Sequence, residues 1–330
     1  MRQRGDSMRV LVRRISVAAT VGMFIVLIMG ATVTNTGSEM GCGRSWPLCH
    51  GEFIPQFAVA TLIEYSHRFV TSIEAVLVVA ASVGALAYWR HRREIRILVP
   101  MMLFFLFLQA GLGAWAVLYP QTTAVLALHF GVSLTSFASV LLTTVFLYEV
   151  DGSDALRDKP LSANFRWLVW GTILYTYVLV YLGAYVRHAN ASMACMGWPL
   201  CNGSILPEMT GPIAVVFVHR LAALAGVLLI AGLLVRTYRT RVERPDLYKG
   251  SIAAMFFIIL QVFSGGVVVM TQLGLFSTLT HAGLATLLFG SLSYLCMHTL
   301  PRPAAQAARQ PGTLRPGSAE SFDVGLPSGQ

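Results

Sequence analysis

Residues 46–49 read Trp46-Pro47-Leu48-Cys49, and the same four residues return 152 positions later as Trp198-Pro199-Leu200-Cys201. The register does not end there. The same shift carries Gly51 to Gly203, Pro55 to Pro207, His67-Arg68 to His219-Arg220, Gln109 to Gln261, Gly113 to Gly265, His129 to His281 and Gly131 to Gly283. Chance does not hold one register over such a span, so the chain is an internal duplication. Gly30-Ala31-Thr32-Val33 likewise recurs as Gly183-Ala184-Tyr185-Val186.

What is duplicated follows from composition. Of the 330 residues, 55% are hydrophobic and only 12% charged, too apolar for a water-soluble globule with a polar skin. Apolar runs fall near 15–34, 57–88, 97–118, 123–148, 167–187, 212–235, 250–270 and 277–299. Each suffices for the roughly 20 residues that cross a bilayer as a helix. Lipid offers no partner to an open backbone amide, and no alternating barrel pattern is present, so the expected fold is all-α with eight transmembrane helices. Four crossings per repeat is an even number. The two four-helix bundles therefore insert with the same orientation and are expected to relate by a pseudo-twofold along the membrane normal.

A net charge of +9 raises the question of anionic partners, and the placement of the basic residues answers it. Twenty of the 24 Lys and Arg lie in the two tails and in the loops after even-numbered helices, among them Arg90, Arg92, Arg93, Arg96, Arg236, Arg239 and Arg241. By the positive-inside rule those segments, and both termini, are cytoplasmic, and nucleic-acid binding is excluded. Arg44 and Arg187 lie in the opposite loops, and Arg68 and Arg220 lie inside helices. A cleaved signal peptide is the competing reading of the first run, which follows Arg9, Arg13 and Arg14. The recurrence of its end within the fifth helix marks it instead as a retained span. The expected organisation is a cytoplasmic tail (1–14), a first half (15–149), a cytoplasmic linker (150–166), a second half (167–299) and a disordered tail (300–330) rich in Pro, Ala, Gly, Ser and Arg.

His67, His129, His219 and His281 all stand at one depth, about five to ten residues inside the outer end of an even-numbered helix, or roughly 10 Å. Two imidazoles share an iron only when they approach from facing helices at one level, which is how helix bundles build haem sites. Histidines that merely hydrogen-bond between helices have no reason to recur at two matched positions. His50, His91, His188 and His298 have no partner in the repeat; His91 and His298 are expected to be solvated.

The arginines after His67 and His219 are costly at that depth and need an anion or a route to water. Arg68 has Glu64 one helical turn earlier, whereas Val216 stands at the matching place before Arg220. Arg220 is left to face a haem propionate or to snorkel to the outer interface. Cys42 with Cys49, and Cys195 with Cys201, lie in matching outer loops on the oxidising side. Their spacings do not suit a zinc knuckle or a thioredoxin motif. Each pair can close a short disulfide ring, as a loop staple or as a site of redox exchange. Cys296 reads as a small packing residue.

The Glu64-x-x-His67-Arg68 stretch, the two Trp-Pro-Leu-Cys loops, the second His-Arg at His219 and the late histidines His129 and His281 together resemble the haem A synthase family, in its bacterial form with two cysteine pairs. The resemblance spans residues 11–300. It implies an eight-helix bundle in a plasma membrane that oxidises a methyl group of haem O to the formyl group of haem A. It further implies that His219 and His281 hold a resident haem b, that His67 and His129 hold the haem O being oxidised, and that Glu64 is the catalytic acid. It links the Cys42–Cys49 pair to activity and Cys195–Cys201 more to stability. Haem O synthase as supplier, an electron acceptor such as a quinone, and cytochrome oxidase assembly are the partners implied.

The residues support an unequal pair of halves without the resemblance. Glu64 has no counterpart in Val216-Phe217-Val218-His219, and a carboxylate three residues before a ligand shares its helix face. Pairing with Arg68 is the other role open to it. Glu74, seven residues past His67, has no role that the resemblance assigns. The alternative function is a dihaem b-type cytochrome that carries electrons from quinol without modifying haem; a membrane thiol oxidase and a transporter follow less well, since neither explains four histidines at one depth.

Overall fold

A computed structural model of the chain describes residues 2–56, 58–119, 122–149 and 161–300. Eight helices carry it: α1 (Arg2–Asn35), α2 (Val59–Trp89), α3 (Arg93–Leu118), α4 (Thr123–Glu149), α5 (Ala163–His188), α6 (Gly211–Arg239), α7 (Pro245–Met270) and α8 (Leu275–Thr299). All eight are long and apolar enough to cross a membrane, and the protein is a multi-pass membrane protein. Among the described residues the only β pairing is two isolated bridges, Cys49 with Glu52 and Cys201 with Ser204.

Several helices start earlier than their apolar runs. An apolar window marks only the part that needs lipid, and a helix continues wherever its polar flank finds partners. Helix α1 begins at Arg2 rather than at 15, so most of the expected tail is helical. Arg13 Nε donates to the Leu147 carbonyl at 2.8 Å, and Arg9 and Arg13 lie 5.8 Å from the centre of the Trp89 ring. Helix α5 starts on Ser162, whose hydroxyl accepts the Phe165 amide at 3.2 Å. Residues 150–160 of the expected linker, and 301–330 of the expected disordered tail, lie outside the described residues.

Each half closes on itself. Helix α1 packs on α2, α2 on α3, α3 on α4 and α4 back on α1; α5, α6, α7 and α8 form the same ring. Helices α2 and α4 are thus diagonal partners across the first bundle, as α6 and α8 are across the second. Between the halves α4 meets α8, while α4 against α5 is answered by α8 against α1. These are the pairings that an exchange of the two halves about a twofold requires. Small residues let the helices approach. Gly131 of α4 lies against the Tyr181 ring of α5, and the equivalent Gly283 of α8 leaves only 3.2 Å between a would-be Cβ and Ile28 of α1.

One polar cluster ties the halves at the end of the bundle away from the disulfide loops. Arg244 donates to both oxygens of Asp246, at 3.1 and 2.7 Å, and to the His298 carbonyl at 2.8 Å. His298 Nδ1 is 2.9 Å from Asp246 and its Nε2 is 3.0 Å from Glu149 of α4. The expectation of a solvated His298 is therefore corrected: it is 1% exposed, because two acids from different helices converge on its ring. His91, by contrast, is exposed as expected, and Cys296 is buried in the second core.

Candidate functional site

The four histidines stand in four equivalent settings. In each, the imidazole lies against a glycine of the preceding helix, where the missing side chain leaves a slot for the ring. A Cβ added at Gly30 would meet His67 Cε1 at 3.3 Å, at Gly113 His129 Cε1 at 3.4 Å, at Gly183 His219 Cε1 at 3.0 Å and at Gly265 His281 Cε1 at 3.3 Å. The sequence signal was present, since all four glycines recur in the repeat, but spacing alone does not say which helix a glycine faces. His67 on α2 stands diagonally across its bundle from His129 on α4, and His219 on α6 from His281 on α8. The diagonal helix pairs thus bring together the two pairs that the repeat suggested.

The settings differ in how the rings are held. The Nδ1 atoms of His67, His129 and His219 are buried with no hydrogen-bond partner among the described residues. His281 instead has both nitrogens engaged, Nδ1 by the Ser264 hydroxyl at 2.8 Å and Nε2 by the Gln261 amide at 3.2 Å. Leu112 occupies the position equivalent to Ser264 in the first half, so His129 lacks that support. Ser264 is a site residue that sequence reading missed, because a helical serine usually returns its hydroxyl to its own backbone.

Haem fits this arrangement. Its iron needs two axial ligands beyond the macrocycle, so a pair of imidazoles is the donor set required, and His67, His129 and His219 each keep a buried ring nitrogen without a partner among the described residues. Among the described residues no group of three or more His, Cys, Asp or Glu gathers as a protein-only metal site would. Ser264 would fix the ring plane of His281 through Nδ1, as second partners of ligating histidines do, and Nε2 would serve the iron in place of its contact with the Gln261 amide.

Above each pair lies a disulfide-closed loop. Cys42 joins Cys49 and Cys195 joins Cys201, with all four residues at most 1% exposed. The loops share their backbone course. Both contain a cis proline, at Trp46-Pro47 and Trp198-Pro199, and both turn through left-handed residues, His50 and Gly51 in one, Asn202 and Gly203 in the other.

The helical arginines clasp these loops. Arg68 donates to the carbonyls of Ser45 at 2.7 Å and Leu48 at 3.1 Å. Arg220 donates to four carbonyls, Pro199 at 3.3 Å and Leu200, Cys195 and Gly197 at 3.0 Å. Carbonyls of the loop that no helix or strand pairs thus find donors in a guanidinium fork. This clasp was not legible in the sequence, which offers only a charge and not the fold of the loop above it.

Glu64 is where the halves part. It is 3% exposed, pairs with Arg68, and accepts the Cys42 amide at 2.8 Å. It is therefore held between the arginine and the disulfide loop, three residues from His67. At the equivalent place Val216 packs with Cys195 and Cys201 in a small apolar cluster.

Fold and site define a polytopic helical membrane protein of duplicated four-helix halves, each presenting a histidine pair beneath a disulfide loop. The chain belongs to the cytochrome oxidase assembly protein family, whose model matches residues 53–293 and so includes all four histidines and Glu64. It is similar to the haem A synthase of Symbiobacterium thermophilum, 43% identical over 293 residues that cover 88% of this chain and 95% of that one. The haem A synthase of Geobacillus thermodenitrificans is 43% identical over 294 residues, 88% and 93% of the two chains. That of Geobacillus kaustophilus is 41% identical over 303 residues, 91% and 96%.

Proposed function

We propose that this protein is a haem A synthase of the cell membrane, with both termini cytoplasmic, that oxidises a methyl group of haem O to the formyl group of haem A. The first half (15–149) takes the substrate between His67 and His129. The second half (167–299) keeps a haem b between His219 and His281. The observation that carries the reading is the inequality of otherwise equivalent sites: a buried acid beside one histidine pair, an apolar residue beside the other.

The side chains divide the work. His67 and His129 orient the substrate macrocycle, and Gly30 and Gly113 give their rings room. Glu64 holds or moves a proton at its carboxyl oxygens beside the substrate, a task suited to an acid fixed by two donors. The Cys42–Cys49 loop supplies one of those donors and covers the site from the outer water. Arg68 and Arg220, each one residue past a ligand, clasp the loops and would offer positive charge to the propionates of a bound haem. Bound haem b supplies one-electron transfer toward an acceptor such as a quinone. Ser264 on Nδ1 of His281 suits a haem that stays, and the less braced His129 one that is exchanged. Haem O synthase is the supplier of substrate.

The test is the pigment extracted from membranes of a host without its own haem A synthase, expressing this chain with a source of haem O. Haem A is the expected product. Haem B alone, with intact haem spectra, would instead identify a cytochrome that only carries electrons.

A further inference from the structure

Glu74 belongs to no part of the site described so far. It lies on α2 seven residues beyond His67, about 10 Å deeper and on nearly the same helix face. It is 2% exposed, and neither carboxyl oxygen has a hydrogen-bond partner among the described residues. Helix α1 makes room for it at Gly22, where any Cβ would collide with the carboxyl group. A buried polar group without a partner is costly within a membrane, and such a group points to a ligand that completes it.

The second half fills the same place differently. The shift that relates Gly30 to Gly183 carries Gly22 to Tyr175, and the shift that relates His67 to His219 carries Glu74 to Gly226. Large and small residues have exchanged helices: a Cβ at Gly226 would lie 3.7 Å from the Tyr175 ring. The Tyr175 hydroxyl donates to the Ala222 carbonyl at 2.8 Å, so the polar group at this depth is satisfied within the protein. At this depth, among the described residues, it is the first half that keeps an acid with free hydrogen-bonding capacity.

We propose that Glu74 binds the hydroxyl group on the prenyl arm of haem O and so selects that haem for the first half. The proposal rests on the reading that His67 and His129 hold the substrate. Haem O carries, at one pyrrole without a propionate, a carbinol carbon with its prenyl chain where haem B has a vinyl group. The anionic propionates seek the outer end of the bundle, where Arg68 stands, and the opposite edge then points down α2 toward Glu74. A carboxyl group offers an alcohol an acceptor and, when it carries its proton, a donor as well. A vinyl group uses neither. Gln109, whose amide lies 3.7 Å from the sulfur of Met23 beside Gly22, adds a second polar group on this side of the bundle.

The proposal is tested by spectral titration of haem O and haem B into protein purified with its second-half haem in place. The wild-type protein is expected to prefer haem O by about tenfold, the worth of one hydrogen bond. Glu74→Leu is expected to bring the two haems within about twofold by weakening haem O, while Glu74→Gln, which keeps a donor and an acceptor, retains most of the preference. Equal affinities in the wild type, or an unchanged preference in Glu74→Leu, would overturn the proposal. Should Glu74→Leu not fold, the infrared carbonyl stretch lost in Glu74→Gln decides: in the wild type it is expected to shift with haem O and not with haem B, and the same response to both overturns the proposal. His67→Ala separates the two levels of inference. If it leaves haem O binding intact, the substrate reading itself fails; if it abolishes binding while Glu74→Leu spares the preference, only the role of Glu74 fails.

Discussion

Glu64 Oε2 accepts the backbone amide of Cys42 at 2.8 Å, so the buried acid of α2 is fastened to the disulfide loop above it. Nothing equivalent occurs in the second half, where Val216 lies under Cys195 and Cys201. Glu64→Gln keeps the shape but cannot carry a proton. It is expected to lower haem A formation by about a hundredfold or more, within the range of general acid–base effects. Extracted pigment should then contain haem O with haem b unchanged; normal haem A would return Glu64 to a purely structural role.

The two disulfides should separate in their effects. Cys42→Ser frees the loop that donates to Glu64, so haem A formation is expected to fall severalfold while haem b is retained. Cys201→Ser frees a loop that Arg220 clasps through four carbonyls and that rests on Val216 where the first loop meets Glu64. Its expected effect is on stability, about 2 to 3 kcal/mol, read as an earlier loss of the haem b spectrum on heating. Equal effects of the two substitutions on product formation would contradict the division.

The glycine slots give a matched pair of variants. Gly183→Ala places a Cβ 3.0 Å from the His219 ring, and Gly30→Ala one 3.3 Å from the His67 ring. Overpacking of this kind costs about 1 to 3 kcal/mol, or roughly five- to 150-fold in haem retention. Gly183→Ala is expected to lose haem b on purification, and Gly30→Ala to keep haem b and weaken haem O binding. Haem content per protein and haem O titration check the two.

Far from either pair, the cluster around Asp246 offers a control. Asp246→Ala leaves Arg244, itself 2% exposed, without its carboxylate, and takes one acid from His298. Breaking a buried ion pair on one side costs about 3 to 5 kcal/mol. A lower thermal midpoint with unaltered haem spectra is expected.

The spans, the duplication and the histidine pairs were legible because each rests on a one-dimensional pattern: apolar length, register, and recurrence at fixed depth. Glu64 stood out for the same reason, as the residue on which the register breaks. What pattern does not carry is which backbone group a side chain reaches across the bundle. Hence the four carbonyls on Arg220, the hydroxyl of Ser264 on His281 and the burial of His298 between two acids emerge only from the fold. Helices α1, α3, α5 and α7 start before their apolar runs because a polar flank looks like a loop until its partners are in place.

The most direct test of unequal halves is the haem content of His67→Ala and His219→Ala proteins, each purified from membranes supplied with haem O. The expected result is that His219→Ala loses haem b, whereas His67→Ala keeps it and contains neither haem O nor haem A. Loss of haem b in His67→Ala, or the same haem content in both variants, would contradict a first half that processes one haem and a second that holds another.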